Sequence, residues 1–199
     1  MGANIEIYTG CMASGKSRAI IERADELEQT GLSIVCLKPD LEVRDNGIES
    51  RRGVRREAIA VPSLGKAALE GAVELSDAVV IDELFFFNGE LLDDTISVVD
   101  RWQHENKKVV AAMLDFSAMG KPMTVYQAVI DTFDPKIIAC HEAVCDYNHH
   151  PEPVEATRTQ IVKRECGTPI RSGLPELVPE DSRNPIDYKP VCLDCFNTA

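Results

Sequence analysis

Up to about residue 139, short continuous apolar runs alternate with segments of helical period. Ile5, Ile7 and Tyr8 open the series, Ala78-Val79-Val80-Ile81 and Val109-Val110-Ala111-Ala112-Met113-Leu114 continue it, and the spacing predicts strands at 4–9, 33–38, 57–61, 77–81, 108–113 and 136–140. Helices are expected at 16–29, 63–72, 89–104 and 123–132. Runs without a polar alternate fit strands buried on both faces. Strands alternating with helices make the fold class α/β, with a mostly parallel sheet flanked by helices and a ligand site at the carboxyl ends of the strands. Residues 43–56 interrupt the series as a polar stretch with five arginines, expected to be a mobile loop. From 140 onward prolines, glycines and charges dominate and apolar periodicity fades, so that part requires a staple. The division expected is a nucleotide-binding domain over 1–139 and a small subdomain over 140–199.

Between the first strand and the first helix lies Gly10-Cys11-Met12-Ala13-Ser14-Gly15-Lys16-Ser17, a complete G-x-x-x-x-G-K-[ST] in the strand–loop–helix context that defines a phosphate-binding P-loop. Its backbone N–H groups and the positive end of the following helix converge on phosphate oxygens. Lys16 reaches the β- and γ-phosphates, and the Ser17 hydroxyl ligates Mg²⁺. Asp82-Glu83 ends the 77–81 strand, where Asp82 is placed to hold Mg²⁺ and Glu83 to accept a proton from an alcohol acceptor. In an ATP hydrolase the same Glu polarises water, so Asp-Glu alone leaves kinase and ATPase both open.

Composition narrows the setting. With 199 residues, 44% of them hydrophobic, one substantial domain plus an appendage can form a core. No stretch approaches the roughly 18 apolar residues of a membrane span, and the opening residues lack a signal-peptide pattern, so a cytoplasmic location is expected. A net charge of −12 argues against nucleic-acid and membrane partners. Seven cysteines, five of them from Cys140 on, point to metal rather than disulfides in a reducing compartment. Cys192-Leu193-Asp194-Cys195 is a C-x-x-C knuckle. Cys145 with His149 or His150 offers a second half-site, completing the four tetrahedral ligands of a structural Zn²⁺. Free thiols remain the alternative. Arg51, Arg52, Arg55 and Arg56 could hold triphosphate oxygens, face a neighbouring subunit or simply be solvated.

Taken together the motifs resemble the type II, zinc-containing thymidine kinases, in order over about residues 4–195. The P-loop resembles that family's G-x-M-x-S-G-K-[ST], and Lys38-Pro39-Asp40-Leu41-Glu42-Val43-Arg44 its K-P-x-x-D-x-R. Asp82-Glu83-Leu84-Phe85-Phe86-Phe87 resembles D-E-x-Q-F-F, Leu114-Asp115 with Lys121-Pro122-Met123 resembles L-D…K-P-F, and Ala143-Val144-Cys145 resembles A-V-C. Tyr188-Lys189-Pro190-Val191-Cys192-Leu193-Asp194-Cys195 resembles Y-x-x-x-C-x-x-C. The resemblance implies a P-loop (RecA-like) kinase domain followed by a zinc-pinned subdomain whose "lasso" loop covers the nucleoside. It also implies ATP as donor, Mg²⁺ and structural Zn²⁺ as cofactors, a homotetramer, inhibition by the triphosphate end product, and a place in nucleotide salvage for DNA synthesis. Residue by residue, it implies Glu83 as catalytic base, Lys16 and Arg44 at the transferred phosphate, Met12, Phe86 and Leu114 around the base, Glu42 near the acceptor, and Tyr188 in the lasso.

The chain departs from the pattern at Glu42 for Asp, Phe85 for Gln, Arg51 for His, Ala118 for an aromatic, and Asn148 for a cysteine. The function the resemblance implies is phosphoryl transfer from ATP to the 5′-hydroxyl of a deoxynucleoside, thymidine first among them. The alternatives are a kinase of another, modified deoxypyrimidine nucleoside or a catalytically impaired ATP-binding module.

Overall fold

In the computed structural model, residues 4–40, 47–67, 71–147, 149–176 and 185–198 are described. Ten strands are described: β1 (Ile5–Thr9), β2 (Ile34–Pro39), β3 (Gly47–Glu49), β4 (Arg55–Glu57), β5 (Ile59–Val61), β6 (Ala78–Ile81), β7 (Lys108–Met113), β8 (Lys136–Ala139), β9 (Arg158–Lys163) and β10 (Ile186–Val191). The helices are α1 (Lys16–Gln29), α2 (Leu64–Ala67), α3 (Gly71–Glu74), α4 (Leu92–His104), α5 (Thr124–Phe133) and α6 (Leu193–Thr198).

Six strands form one sheet in the order β5-β2-β6-β7-β1-β8, every pairing parallel. The continuous apolar runs are buried on both faces, as parallel strands under helices must be. One face carries Ile5, Ile7, Leu37, Val79, Ile81, Ala111 and Met113 against Val98, Val99 and Trp102 of α4 and Val125 and Val129 of α5. The other carries Val80, Val110 and Ala112 against Ile20, Ile21, Ala24 and Leu27 of α1. Those α1 positions recur at helical spacing, and the helix stops where Gly31 turns left-handed (φ 88). α4 has Asp93 and Asp94 in its first turn and Arg101 and His104 in its last, which complements the helix dipole.

Three expectations are corrected. The polar stretch 43–56 is not a loop throughout. From Gly47 it is a β3–β4 hairpin, because Ile48 is buried under α1 and the backbone groups pair across the ladder; residues 43–46 lie outside the described residues. The strand expected at 57–61 divides at Ala58, β4 turning back on β3 while β5 joins β2. The helix expected at 63–72 is two single turns, α2 and α3.

Beyond Cys140 the chain is more regular than its composition suggests. β9 and β10 pair antiparallel, Ile186 with Lys163 through Val191 with Arg158. Thr159 and Gln160 are buried along with Ile161 and Val162, so two polar core residues hide the strand from a periodicity reading. No helix among the described residues is long and apolar enough to cross a membrane.

Candidate functional site

Residues 10–17 lie between the end of β1 and the first turn of α1, at the carboxyl edge of the sheet. Three of them have positive φ: Gly10 (144), Ala13 (63) and Gly15 (93). Such a backbone turns successive N–H groups inward, the geometry of an anion nest. A left-handed alanine costs roughly 1–2 kcal/mol, so the loop is held in this shape by its surroundings. Lys16 is buried, its Nζ donating to the carbonyls of Gly10 (3.1 Å) and Cys11 (2.7 Å).

The carboxylate of Asp82, at the end of β6, faces the loop. Ser17 Oγ lies 3.3 Å from Asp82 Oδ1, and the Glu83 N–H donates to the same oxygen at 3.1 Å. A hydroxyl and a carboxylate side by side are hard oxygen donors that fit Mg²⁺, which takes one or two such protein ligands and completes its shell with water and phosphate. Glu83 is itself left-handed (φ 52, ψ 42), a strained position between strand and turn that aims the side chain independently of both. The next turn, Leu84–Phe86, buries Leu84 and Phe85, with the Phe85 and Phe86 rings stacked at 4.6 Å. Phe86 and Met12 pack half-buried on the same apolar cluster as Leu114, so the three expected wall residues share one surface. Glu42 and Arg44 lie outside the described residues.

Four features that sequence reasoning missed lie on the outer side of the loop. The Met12 N–H donates to Thr159 Oγ1 at 2.9 Å, and the Cys11 thiol to the Ala156 carbonyl at 3.2 Å. The Glu142 N–H donates to the Ser14 carbonyl at 3.2 Å. A Cβ on Gly10 would lie 2.7 Å from the Cys140 carbonyl oxygen. Nothing in the residue types marks these contacts, which run through main-chain groups, one hydroxyl and one thiol. The β9–β10 register puts Tyr188 opposite Ile161 and Pro190 opposite Thr159. Tyr188 therefore stands on the strand face that also carries Thr159, whose hydroxyl meets the P-loop. Burial pushes the Cys11 thiol up to about 11 and raises that of Cys140.

Cys145, His150, Cys192 and Cys195 bring their ligand atoms within 4.8 Å of one another. Cys145 Sγ is 3.7 Å from Cys195 Sγ, and His150 Nε2 is 3.2 Å from Cys195 Sγ and 3.5 Å from Cys192 Sγ. A tetrahedron with Zn–S near 2.3 Å and Zn–N near 2.0 Å has edges of about 3.5–3.8 Å, so this Cys₃His set fits Zn²⁺. Of the two expected histidines, His150 completes the group. His149 Nε2 also comes within 3.2 Å of Cys195 Sγ, but His149 stands outside the four-donor set. Asn148 lies outside the described residues.

A parallel sheet with a glycine-rich nest at its carboxyl edge, an acidic strand end facing it and a Cys₃His cluster behind it defines a P-loop nucleotide-binding α/β protein. Within that class the chain belongs to the thymidine kinase family, whose sequence model matches residues 3–162. It is similar to a thymidine kinase of Metamycoplasma arthritidis (strain 158L3-1), 32% identical over 120 residues, a match spanning 59% of this chain and 60% of that protein. Among solved structures it is similar to the flagellar accessory protein FlaH of Methanocaldococcus jannaschii, with a TM-score of 0.48 and 12% identity over 79% of each chain. It is also similar to AMPPCP-bound DnaA from Aquifex aeolicus, with a TM-score of 0.45 and 12% identity over 70% of this chain and 41% of that one.

Proposed function

We propose that the protein transfers the γ-phosphoryl group of ATP to the 5′-hydroxyl of thymidine or a closely related deoxynucleoside. Family membership supports the reaction class, and the convergence of Ser17, Asp82 and Glu83 at the mouth of a complete P-loop carries the reading.

Phosphoryl transfer needs alignment and charge neutralisation more than covalent help. The loop amides and Lys16 grip the polyphosphate. Ser17 and Asp82 would hold Mg²⁺, which when bound neutralises charge across the β- and γ-phosphates. Glu83 accepts the proton of the sugar hydroxyl. Met12, Phe86 and Leu114 wall the base, and Tyr188 covers it from β10. By family resemblance Glu42 lies near the acceptor and Arg44 at the moving phosphoryl group. Cys145, His150, Cys192 and Cys195 would hold a structural Zn²⁺ that ties α6 and β10 to the segment after β8. The division into a kinase domain over 1–139 and a zinc-stapled subdomain over 140–199, the homotetramer and the cytoplasmic setting belong to the same proposal.

A coupled assay with Mg-ATP and a nucleoside panel tests it, and thymidine should be turned over fastest. ATP binding with no nucleoside-stimulated ADP release for any pyrimidine nucleoside would refute the reading. Light scattering on a sizing column checks the tetramer.

A further inference from the structure

Arg51, Arg52, Arg55 and Arg56 share one short hairpin, and the structure separates their roles. Arg56 is committed to Asp25 and Glu28, with its Nε donating to Cys36 Sγ at 3.2 Å. Arg55 Nε lies 3.7 Å from Glu49 Oε2. Arg52 crosses to the phosphate loop, where its Nη2 is 3.5 Å from Glu142 Oε2. Glu142 sits directly against the loop: a Cβ on Gly15 would lie 2.7 Å from its Cδ and 2.8 Å from Oε2. Its other oxygen pairs with Arg18 of the first turn of α1. One carboxylate thus gathers two guanidinium groups beside the amino end of a 14-residue helix.

We propose that Arg52 is a nucleotide-binding residue, parked on Glu142 at the rim of the P-loop and handed over to a phosphate oxygen when a nucleoside triphosphate binds. The proposal rests on reading the loop as a triphosphate site and adds a ligand to it. Arg52 is the exposed member of the trio: its side chain is 65% exposed, against 29% for Arg18. Its departure does not strand Glu142, because Arg18 keeps that carboxylate paired. Arg18 is held as well by Glu22, 3.5 Å from its Nε, so Arg52 is the guanidinium that can leave the group, and a guanidinium matches phosphate oxygens in a bidentate fork.

Calorimetric titration of Mg-ATP into wild type, Arg52→Gln, Arg52→Lys and Arg51→Gln tests the assignment, with thermal melts confirming that each variant is folded. Arg52→Gln should raise the Kd for ATP about tenfold, the effect of losing one charge-assisted contact. Arg52→Lys should recover part of that loss, the nucleoside KM should not move, and Arg51→Gln, which removes the same charge one residue away, should stay within about twofold of wild type. Equal Kd values for wild type and Arg52→Gln overturn the proposal, and so does an equal loss in Arg51→Gln, which would make the effect a general field. Wild type that ignores ATP overturns the kinase reading as well. Wild type that binds ATP without turning over any nucleoside overturns the kinase reading alone.

Discussion

The two glycines of the P-loop should not respond alike to alanine, and the difference can be worked out from their neighbours. Gly10 has φ 144, a region almost closed to L-residues, and its added Cβ would stand 2.7 Å from the main-chain oxygen of Cys140. That oxygen belongs to a residue whose N–H is bonded to the Thr9 carbonyl at 2.8 Å, so it cannot move without breaking the β1–β8 edge. Strain of about 1–3 kcal/mol plus a rigid clash of similar size predicts a loss of about 2–6 kcal/mol. Gly15 has φ 93, and its Cβ meets only the carboxylate end of Glu142, which can swing into solvent. There the cost is the left-handed penalty of about 1–2 kcal/mol plus a partly exposed ion pair worth at most about 1 kcal/mol. For a chain of this size, at about 2–4 °C per kcal/mol, Gly10→Ala should lower Tm by roughly 4–24 °C and Gly15→Ala by roughly 2–12 °C. Thermal and urea unfolding of both variants checks the order. A Gly15→Ala protein no more stable than Gly10→Ala would show that segment 140–142 does not brace the loop as the structure has it.

Other outcomes follow from the same contacts. Glu83→Gln should retain ATP binding by calorimetry while kcat falls by roughly 10²–10⁴-fold, and normal turnover would remove Glu83 from the reaction. Purified His150→Ala should lose zinc by elemental analysis whereas His149→Ala keeps one equivalent; the reverse pattern would exchange their roles. Hydrogen bonding to Thr168 lowers the exposed Cys166 thiol, so iodoacetamide at neutral pH should label Cys166 first and well ahead of the buried Cys11 in a peptide-mapped time course. The Cys11 thiol, raised from 9.0 to about 11, is neutral in the fold and more acidic in the unfolded chain. It should therefore contribute stability fully below pH 9 and lose it as pH climbs from 9 through 11. Cys11→Ser should flatten that alkaline slope in pH-dependent melts.

Much of the sheet was legible because its physics is local to each strand. Runs such as Ala78–Ile81 and Lys108–Met113 are buried on both faces, and an apolar run needs no partner to announce itself. The P-loop and Asp82-Glu83 were legible because their chemistry fixes residue types at fixed spacing. The hairpin β3–β4 was not, since its one buried apolar side chain, Ile48, stands between Gly47 and Glu49 with no apolar partner at strand spacing. β9 was missed for a related reason. Thr159 and Gln160 lie in the interior because each has a specific partner, the Met12 N–H and the Tyr147 hydroxyl at 2.9 Å, and a partner is invisible in a one-dimensional pattern. The choice between His149 and His150 likewise depends on which side chain reaches Cys192, a question that spacing rules leave open.

The P-loop has two sides with different needs. Its inner side turns N–H groups toward a phosphate, and the remaining polar groups of the loop need partners of their own: Lys16 serves the Gly10 and Cys11 carbonyls. Residues from beyond the parallel sheet serve the rest: the Glu142 N–H meets the Ser14 carbonyl, Thr159 accepts from the Met12 N–H, and the Ala156 carbonyl accepts from the Cys11 thiol. Glu142 lies just before Cys145, Ala156 bonds through its N–H to the Ala143 carbonyl, and Thr159 is on the strand paired with the one leading to Cys192. A metal held by the Cys₃His cluster would therefore tie together the segments that contact the loop. Its removal should be felt at the phosphate site as well as at the base, because a nest whose outer contacts loosen loses the fixed φ values that aim its amides.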